Sequence, residues 1–196
     1  MKVKICGITN REDALDAIRY GADALGFVFY EKSPRAISVQ EARMIVDTLP
    51  PFVEKVGLFV NETPQKIEEM MRQSGMSLAQ IHFDVEADFF ASLSMASLPV
   101  VRAKSPEDVK RFEGEYRLVD AFCEAYGGSG KRLNLEWFKG VDCSKIILAG
   151  GLSPENISEV AGYGFYGVDI SSGVEQSYGK KDPQKVEQFI RYAKSI

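Results

Sequence analysis

Long apolar runs are missing from this chain. None approaches the ~18 residues needed to cross a bilayer, although hydrophobic residues make up 45% of the sequence, so no membrane partner is expected. The N-terminus meets Arg11, Glu12 and Asp13 too early to hold the apolar region of a signal peptide. Cysteine is scarce: Cys6, Cys123 and Cys143 form no CxxC pair and leave one odd, which argues against a disulfide framework or a zinc site. Basic residues are scattered and the net charge is −4, so no nucleic-acid partner is expected. The cytoplasm is the expected compartment. No GxGxxG follows the first apolar run, so the early glycine-rich turn of a dinucleotide-binding sheet is absent.

What is present is a rhythm. Short apolar runs rich in β-formers alternate with segments of helical period. The spacing predicts strands over Val3–Cys6, Ala24–Phe29, Val53–Val60, Leu78–His82, Pro99–Ala103, Tyr116–Asp120, Lys145–Ala149 and Gly167–Ile170. Several are apolar on both faces, as strands covered by helices must be. Thr63-Pro64, Ser105-Pro106, Ser153-Pro154 and Asp182-Pro183 each pair a capping side chain with a proline at the first helical position. Thr9…Glu12 and Ser38…Glu41 have capping-box spacing. Helical stripes follow at Ala42, Ile45, Val46 and Leu49, at Ile67, Met70, Met71 and Ser74, and at Val186, Phe189, Ile190 and Ala193; these are core faces. Weaker helices are expected around Ala87–Leu93 and Leu135–Lys139.

Eight such repeats without a linker or composition break predict one domain over residues 1–196, an α/β fold closed into a (β/α)8 TIM barrel. This is a small barrel, since about 250 residues is typical. In that fold the chemistry lies at the C-terminal strand ends. Going round, those ends offer Cys6, Arg35, Asn61, His82, Arg102, Asp120, Gly150-Gly151 and Ser171-Ser172-Gly173, between strand interiors that read as apolar. Glycine-rich stretches at Gly127–Lys131, Ala149–Asn156 and Asp169–Glu175 let a backbone approach an anion closely. Two of them follow the seventh and eighth strands, the usual phosphate cup of the fold. A phosphorylated small-molecule ligand is therefore expected. Taken singly, Cys6 would read as a buried inert thiol, Asp120 as a turn or capping residue, and Arg35 as a solvated charge.

Taken together, "VKICGIT", "SPR" (Ser33–Arg35), "QIH" (Gln80–His82), Asp120 with "GGSGK", "LAGGLSPENI" and "GVDISSGVE" with Gly179, Lys181 and Asp182 behind it closely resemble the phosphoribosylanthranilate isomerase family of tryptophan biosynthesis. The resemblance runs from Lys2 to the last helix. It implies a phosphate-binding (β/α)8 barrel that converts N-(5-phosphoribosyl)anthranilate into 1-(2-carboxyphenylamino)-1-deoxyribulose 5-phosphate with no metal and no cofactor. It further implies Cys6 as general base, Asp120 as general acid and Arg35 on the anthranilate carboxylate. Gln80, His82, Gly128, Ser129, Gly130, Gly150, Gly151, Asp169, Ser171, Ser172 and Gly173 would hold the substrate. The sequence departs from the family at Phe83, where a glycine is usual after the histidine, and a phenyl group there is expected to narrow the pocket or alter the fourth loop. Cys123 is an extra thiol and Cys143 a bystander. Nothing in the motifs fixes an oligomeric state.

Such an isomerisation needs two proton-transfer groups with the sugar between them. Burial and substrate anions are expected to keep the Asp120 proton on. The same anions oppose ionisation of Cys6, and Arg35 with the amides around Gly7 is expected to offset them. The rivals are a non-catalytic phosphate-binding relative and other sugar-phosphate enzymes on the same scaffold. A metal-dependent epimerase needs several histidines, and His82 is the only one in the chain. A Schiff-base aldolase would need a lysine inside the barrel, and Lys104 is expected to face outward. An indole-closing lyase is expected to carry lysines in its early strands, and the ends of strands one to three show none.

Overall fold

The computed structural model describes residues 1–122 and 132–196. Strands β1 (Lys2–Cys6), β2 (Ala24–Val28), β3 (Glu54–Phe59), β4 (Leu78–Ile81), β5 (Ser97–Ala103), β6 (Arg117–Ala121), β7 (Ile146–Leu148) and β8 (Gly167–Ile170) close into one parallel barrel in chain order. β8 returns to β1 through Lys4↔Asp169 and Ile5↔Ile170. Each of the eight expected strands is present, with ends shifted by a residue or two. The helices are α1 (Arg11–Tyr20), α2 (Val39–Val46), α3 (Pro64–Ser74), α4 (Ala87–Ala91) and α5 (Pro183–Ser195), and a hairpin of β9 (Glu175–Ser177) and β10 (Lys180–Lys181) follows β8. None of the described helices is long and apolar enough to cross a membrane.

Outward-facing strand residues such as Ile5, Phe27, Phe59, Ile81, Val101 and Val168 pack against the helical stripes, with Val186, Phe189, Ile190 and Ala193 of α5 all buried. Inward residues form two separate apolar clusters. One holds Cys6, Val28, Leu58 and Val60; the other holds Leu98, Val100, Leu118 and Ala149. Between them the interior is polar: Lys4, Gln80, Arg102, Asp120 and Asp169 share the inward register by pairing. The expectation of apolar strand interiors is corrected here.

Local capping explains which helices form. Thr63 and Asp182 accept from the first-turn amides of α3 and α5, with proline next to each, and Ser38 with Glu41 makes the expected capping box on α2. The expected box at Thr9…Glu12 does not form. Asn10 caps α1 by accepting from Asp13 N, and the Thr9 hydroxyl donates to the Gly179 carbonyl. After Ser105-Pro106 and Ser153-Pro154 only 3-10 turns form, Asp108–Lys110 and Ile157–Val160. There the Asp108 carboxylate accepts from the amides of Lys104 and Ser105, and Asn156 accepts from Ser153 N while donating to Gly151 O. These bonds tie each turn back to its strand end. Phe112 and Gly162, both at positive φ, then end the turns before a second helical turn is added.

Candidate active site

At the end of β1, Cys6 is 5% exposed, and Lys4, two residues earlier, points inward beside it. The Lys4 Nζ donates to Asp169 Oδ1 at 2.8 Å, an ion pair buried on both sides. Burial works against the Lys4 charge, but Asp169 and Cys6 together hold its pKa above the ordinary lysine value. Burial pushes the Cys6 thiol upward; the Lys4 charge and hydrogen bond pull it back, Asp169 pushes it further up, and Lys181 pulls it down. Lys4 carries no sequence-based assignment; it lies in the middle of β1, so the reading that the ends of strands one to three show no lysine is unaffected. The signal was its parity with Cys6 in the strand.

Across the mouth, Asp120, one residue before the end of β6, is buried, with its carboxyl pushed up to about 7 by burial first and by Asp169 second; Ala121 N–H, Lys4 and Arg102 oppose. His82 Nε2 lies 3.7 Å from Asp120 Oδ2. Burial, then Arg102 and Lys4, push the imidazole down to about 3, so the pair carries no ionic attraction at neutral pH. Gln80 Nε2 donates to His82 Nδ1 at 3.3 Å in the tautomer protonated on Nε2. Among the described residues the buried Gln80 Oε1 has no hydrogen-bond partner, an orphan acceptor that costs free energy unless something uses it.

Arg35, in the loop after β2, is buried and bidentate on Glu175, Nε to Oε1 at 2.8 Å and Nη2 to Oε2 at 2.7 Å. Lys181 adds a second cation to the same carboxylate at 2.9 Å and reaches Ser171 O at 3.2 Å. Burial raises the Glu175 carboxyl, but these two cations outweigh it and leave it below the ordinary range. With Arg35 neutralised by Glu175, the groups that offset burial of the Cys6 thiol are Lys4 and Lys181. The expectation that Arg35 does so is corrected. Gly7 has φ +75°, and a Cβ there would stand 2.6 Å from Arg35 Cδ and 2.9 Å from Ser171 Oγ, so glycine is required where the three strand-end loops meet.

Gly150 and Gly151 follow β7, and Ser171, Ser172 and Gly173 follow β8. The two loops touch so closely that a Cβ on Gly173 would meet Leu152 O at 2.0 Å. The expected site residues Cys6, Arg35, Gln80, His82, Asp120, Gly150, Gly151, Asp169, Ser171, Ser172 and Gly173 all fall at this one end of the barrel. Gly128, Ser129, Gly130 and Cys123 lie outside the described residues. Of the two effects expected of Phe83, narrowing of the pocket is corrected: its ring is buried in the layer between barrel and helices, edge-on to Phe89 of α4 at 5.4 Å. Lys104 is exposed and Cys143 is buried away from the mouth, both as expected.

A family model described as N-(5'phosphoribosyl)anthranilate (PRA) isomerase matches residues 3–192. The chain belongs to this isomerase family. An N-(5'-phosphoribosyl)anthranilate isomerase of Sulfurovum sp. is 66% identical over the full length of both chains. The crystal structure of the phosphoribosyl anthranilate isomerase of Thermotoga maritima superposes with TM-score 0.93 at 38% identity, covering 100% of both chains. A phosphoribosyl anthranilate isomerase in complex with reduced 1-(o-carboxyphenylamino)-1-deoxyribulose 5-phosphate matches at TM-score 0.86 and 38% identity, again over 100% of both. Membership in the phosphoribosylanthranilate isomerase family makes this chain a sugar-phosphate isomerase, and the reading as a non-catalytic relative is not favoured.

Proposed function

We propose that Cys6 and Asp120 carry the two proton transfers by which this barrel isomerises N-(5′-phosphoribosyl)anthranilate in tryptophan biosynthesis. The observation that carries the assignment is the opposed setting of the two groups: a buried carboxyl held protonated up to about pH 7 and a buried thiol with a lysine against it. Asp120 gives its proton to the ribose ring oxygen. The C1′–O bond breaks and C1′ forms a protonated Schiff base with the anthranilate nitrogen. The Cys6 thiolate then removes the C2′ proton, and the electron pair moves into the C1′–C2′ bond to give an enolamine. Protonation at C1′ and loss of the 2′-hydroxyl proton give the ketone, while the thiol and carboxylate re-equilibrate with solvent.

The remaining residues hold the substrate. Amides of the adjoining loops at Gly150–Gly151 and Ser171–Gly173 supply donors for the phosphate, and Arg35 supplies N–H groups beyond the two spent on Glu175 for the carboxylate. Gln80 Oε1 offers its unused acceptor to a sugar hydroxyl or the anthranilate N–H. His82, neutral with its Nδ1 engaged by Gln80, donates through Nε2–H without competing for the proton of Asp120. The test is turnover, followed as loss of anthranilate-type fluorescence. C6A and D120N are each expected to lose about 10²–10⁴-fold in kcat, with the folded state retained by circular dichroism. Wild-type rates in either variant would remove that residue from the reaction.

A further inference from the structure

A charge pair at the floor of a barrel is costly, and replacing it with apolar side chains is often neutral or stabilising. The polar interior between the two apolar clusters holds the Lys4–Asp169 pair buried on both sides, and its place beside the thiol supplies a reason for it. A Cβ on Gly26 would meet Cys6 Sγ at 2.7 Å and Lys4 Nζ at 2.9 Å, so the sulfur and the ammonium crowd the same spot on β2. Cys6 and Gly26 are register partners, as are Lys4 and Asp169. Lys4 is thus wedged between the thiol and the Asp169 carboxylate.

We propose that Lys4, held in place by its ion pair with Asp169, is a positioning residue that holds negative charge on the Cys6 sulfur. The inference rests on the reading of Cys6 and Asp120 as base and acid. The charged groups acting on the sulfur are Lys4 from β1, Asp169 from β8 and Lys181 from β10. Arg35 and Lys181 share Glu175, and His82 is neutral. Among the described cations, Lys4 is the one that faces inward from a barrel strand and crowds the sulfur at Gly26.

The experiment is alkylation of Cys6 by iodoacetamide as a function of pH, read by peptide mass so that Cys123 and Cys143 are scored separately. Wild type, K4R, K4Q and D169N are compared, each with a thermal melt. K4Q is expected to move the Cys6 reactivity curve up by about one pH unit, a roughly tenfold loss of reactivity near neutral pH. D169N is expected to move it down, and K4R to leave it near wild type. Damage to packing does not move one thiol in opposite directions in two variants. Curves for K4Q and D169N that superimpose on wild type, or shift the same way, would overturn the proposal. Should K4Q fail to fold, the D169N arm decides alone, since an unshifted curve there is already fatal. Full turnover by C6A would instead sink the base assignment, whatever the alkylation curves show.

Discussion

His82 and Asp120 face each other at 3.7 Å with proton affinities driven in opposite directions, the imidazole down to about 3 and the carboxyl up to about 7. Neither is a cause of the other's shift; burial leads in both. Their effects on stability therefore have opposite signs. For Asp120 the folded value lies above the unfolded one, so the native state binds the proton more tightly, and stability falls as pH rises from about 4 to about 7. For His82 the folded value lies below, so stability is lost as pH falls from about 6.5 to about 3. Over the shared window the two slopes oppose.

Removing one member should expose the other. H82Q is expected to lose stability as pH rises from about 4 to 7, with a limiting slope of about 1.4 kcal/mol per pH unit. D120N should do the reverse and gain stability over the same range. Urea melts at several pH values check both. A wild type as steep as either variant, or two variants with slopes of one sign, would show that these groups titrate normally in the native state.

Activity should follow a related pattern. Catalysis needs Asp120 protonated and Cys6 ionised, and the thiol titrates above the carboxyl. The active form is then a minority population, and kcat/KM should rise with unit slope up to about pH 7 and stay level until the thiol titrates. C6S, whose hydroxyl is far harder to ionise, should fall by at least about 10³-fold in kcat with KM little changed. A C6S rate within tenfold of wild type would argue that the sulfur does not take the proton.

Much of this was legible in the sequence, for identifiable reasons. The strands could be read because β-rich runs recur between capped helices, and Thr63-Pro64 and Asp182-Pro183 mark real helix starts. Ser105-Pro106 and Ser153-Pro154 carry the same local signal, yet Asp108 and Asn156 tie the chain back to the strand ends, which no dipeptide reports. Cys6 and Asp120 stood out as polar groups where strands end. Lys4 did not, because one charge two residues upstream of a thiol reads as a surface residue until barrel closure turns that face inward. The Glu175 clamp on Arg35 was hidden for a different reason: 140 residues separate the partners, and only the β9–β10 hairpin brings them together.

That clamp yields its own prediction. R35A should raise KM by about tenfold or more through loss of a charge-assisted contact to the carboxylate, while the Cys6 alkylation curve stays in place because Glu175 already neutralises Arg35. E175Q leaves Arg35 and Lys181 buried without their shared anion, and should destabilise the fold by about 3–5 kcal/mol. Steady-state kinetics and thermal melts separate the two effects. An R35A enzyme with unchanged KM would take Arg35 off the substrate.

Phe83 tests whether the departure from the family pattern touches chemistry or only packing. Its ring is 9% exposed and begins a run of edge-on aromatics through Phe89 and Phe90 to Phe112, with centroids 5.4, 6.1 and 5.6 Å apart. The run lies in the shell outside the barrel, so it braces α4 and the turn after β5 against β4. Truncation to F83A leaves a cavity there and should cost about 3–5 kcal/mol. Gln80 of β4 and His82 just beyond its end keep their positions, so kcat/KM well below the melting temperature should stay within about threefold of wild type. A tenfold loss of kcat/KM with a normal melt would mean that the phenyl group shapes the mouth after all. A lower melting temperature with intact kinetics would assign Phe83 to the scaffold, where the geometry puts it.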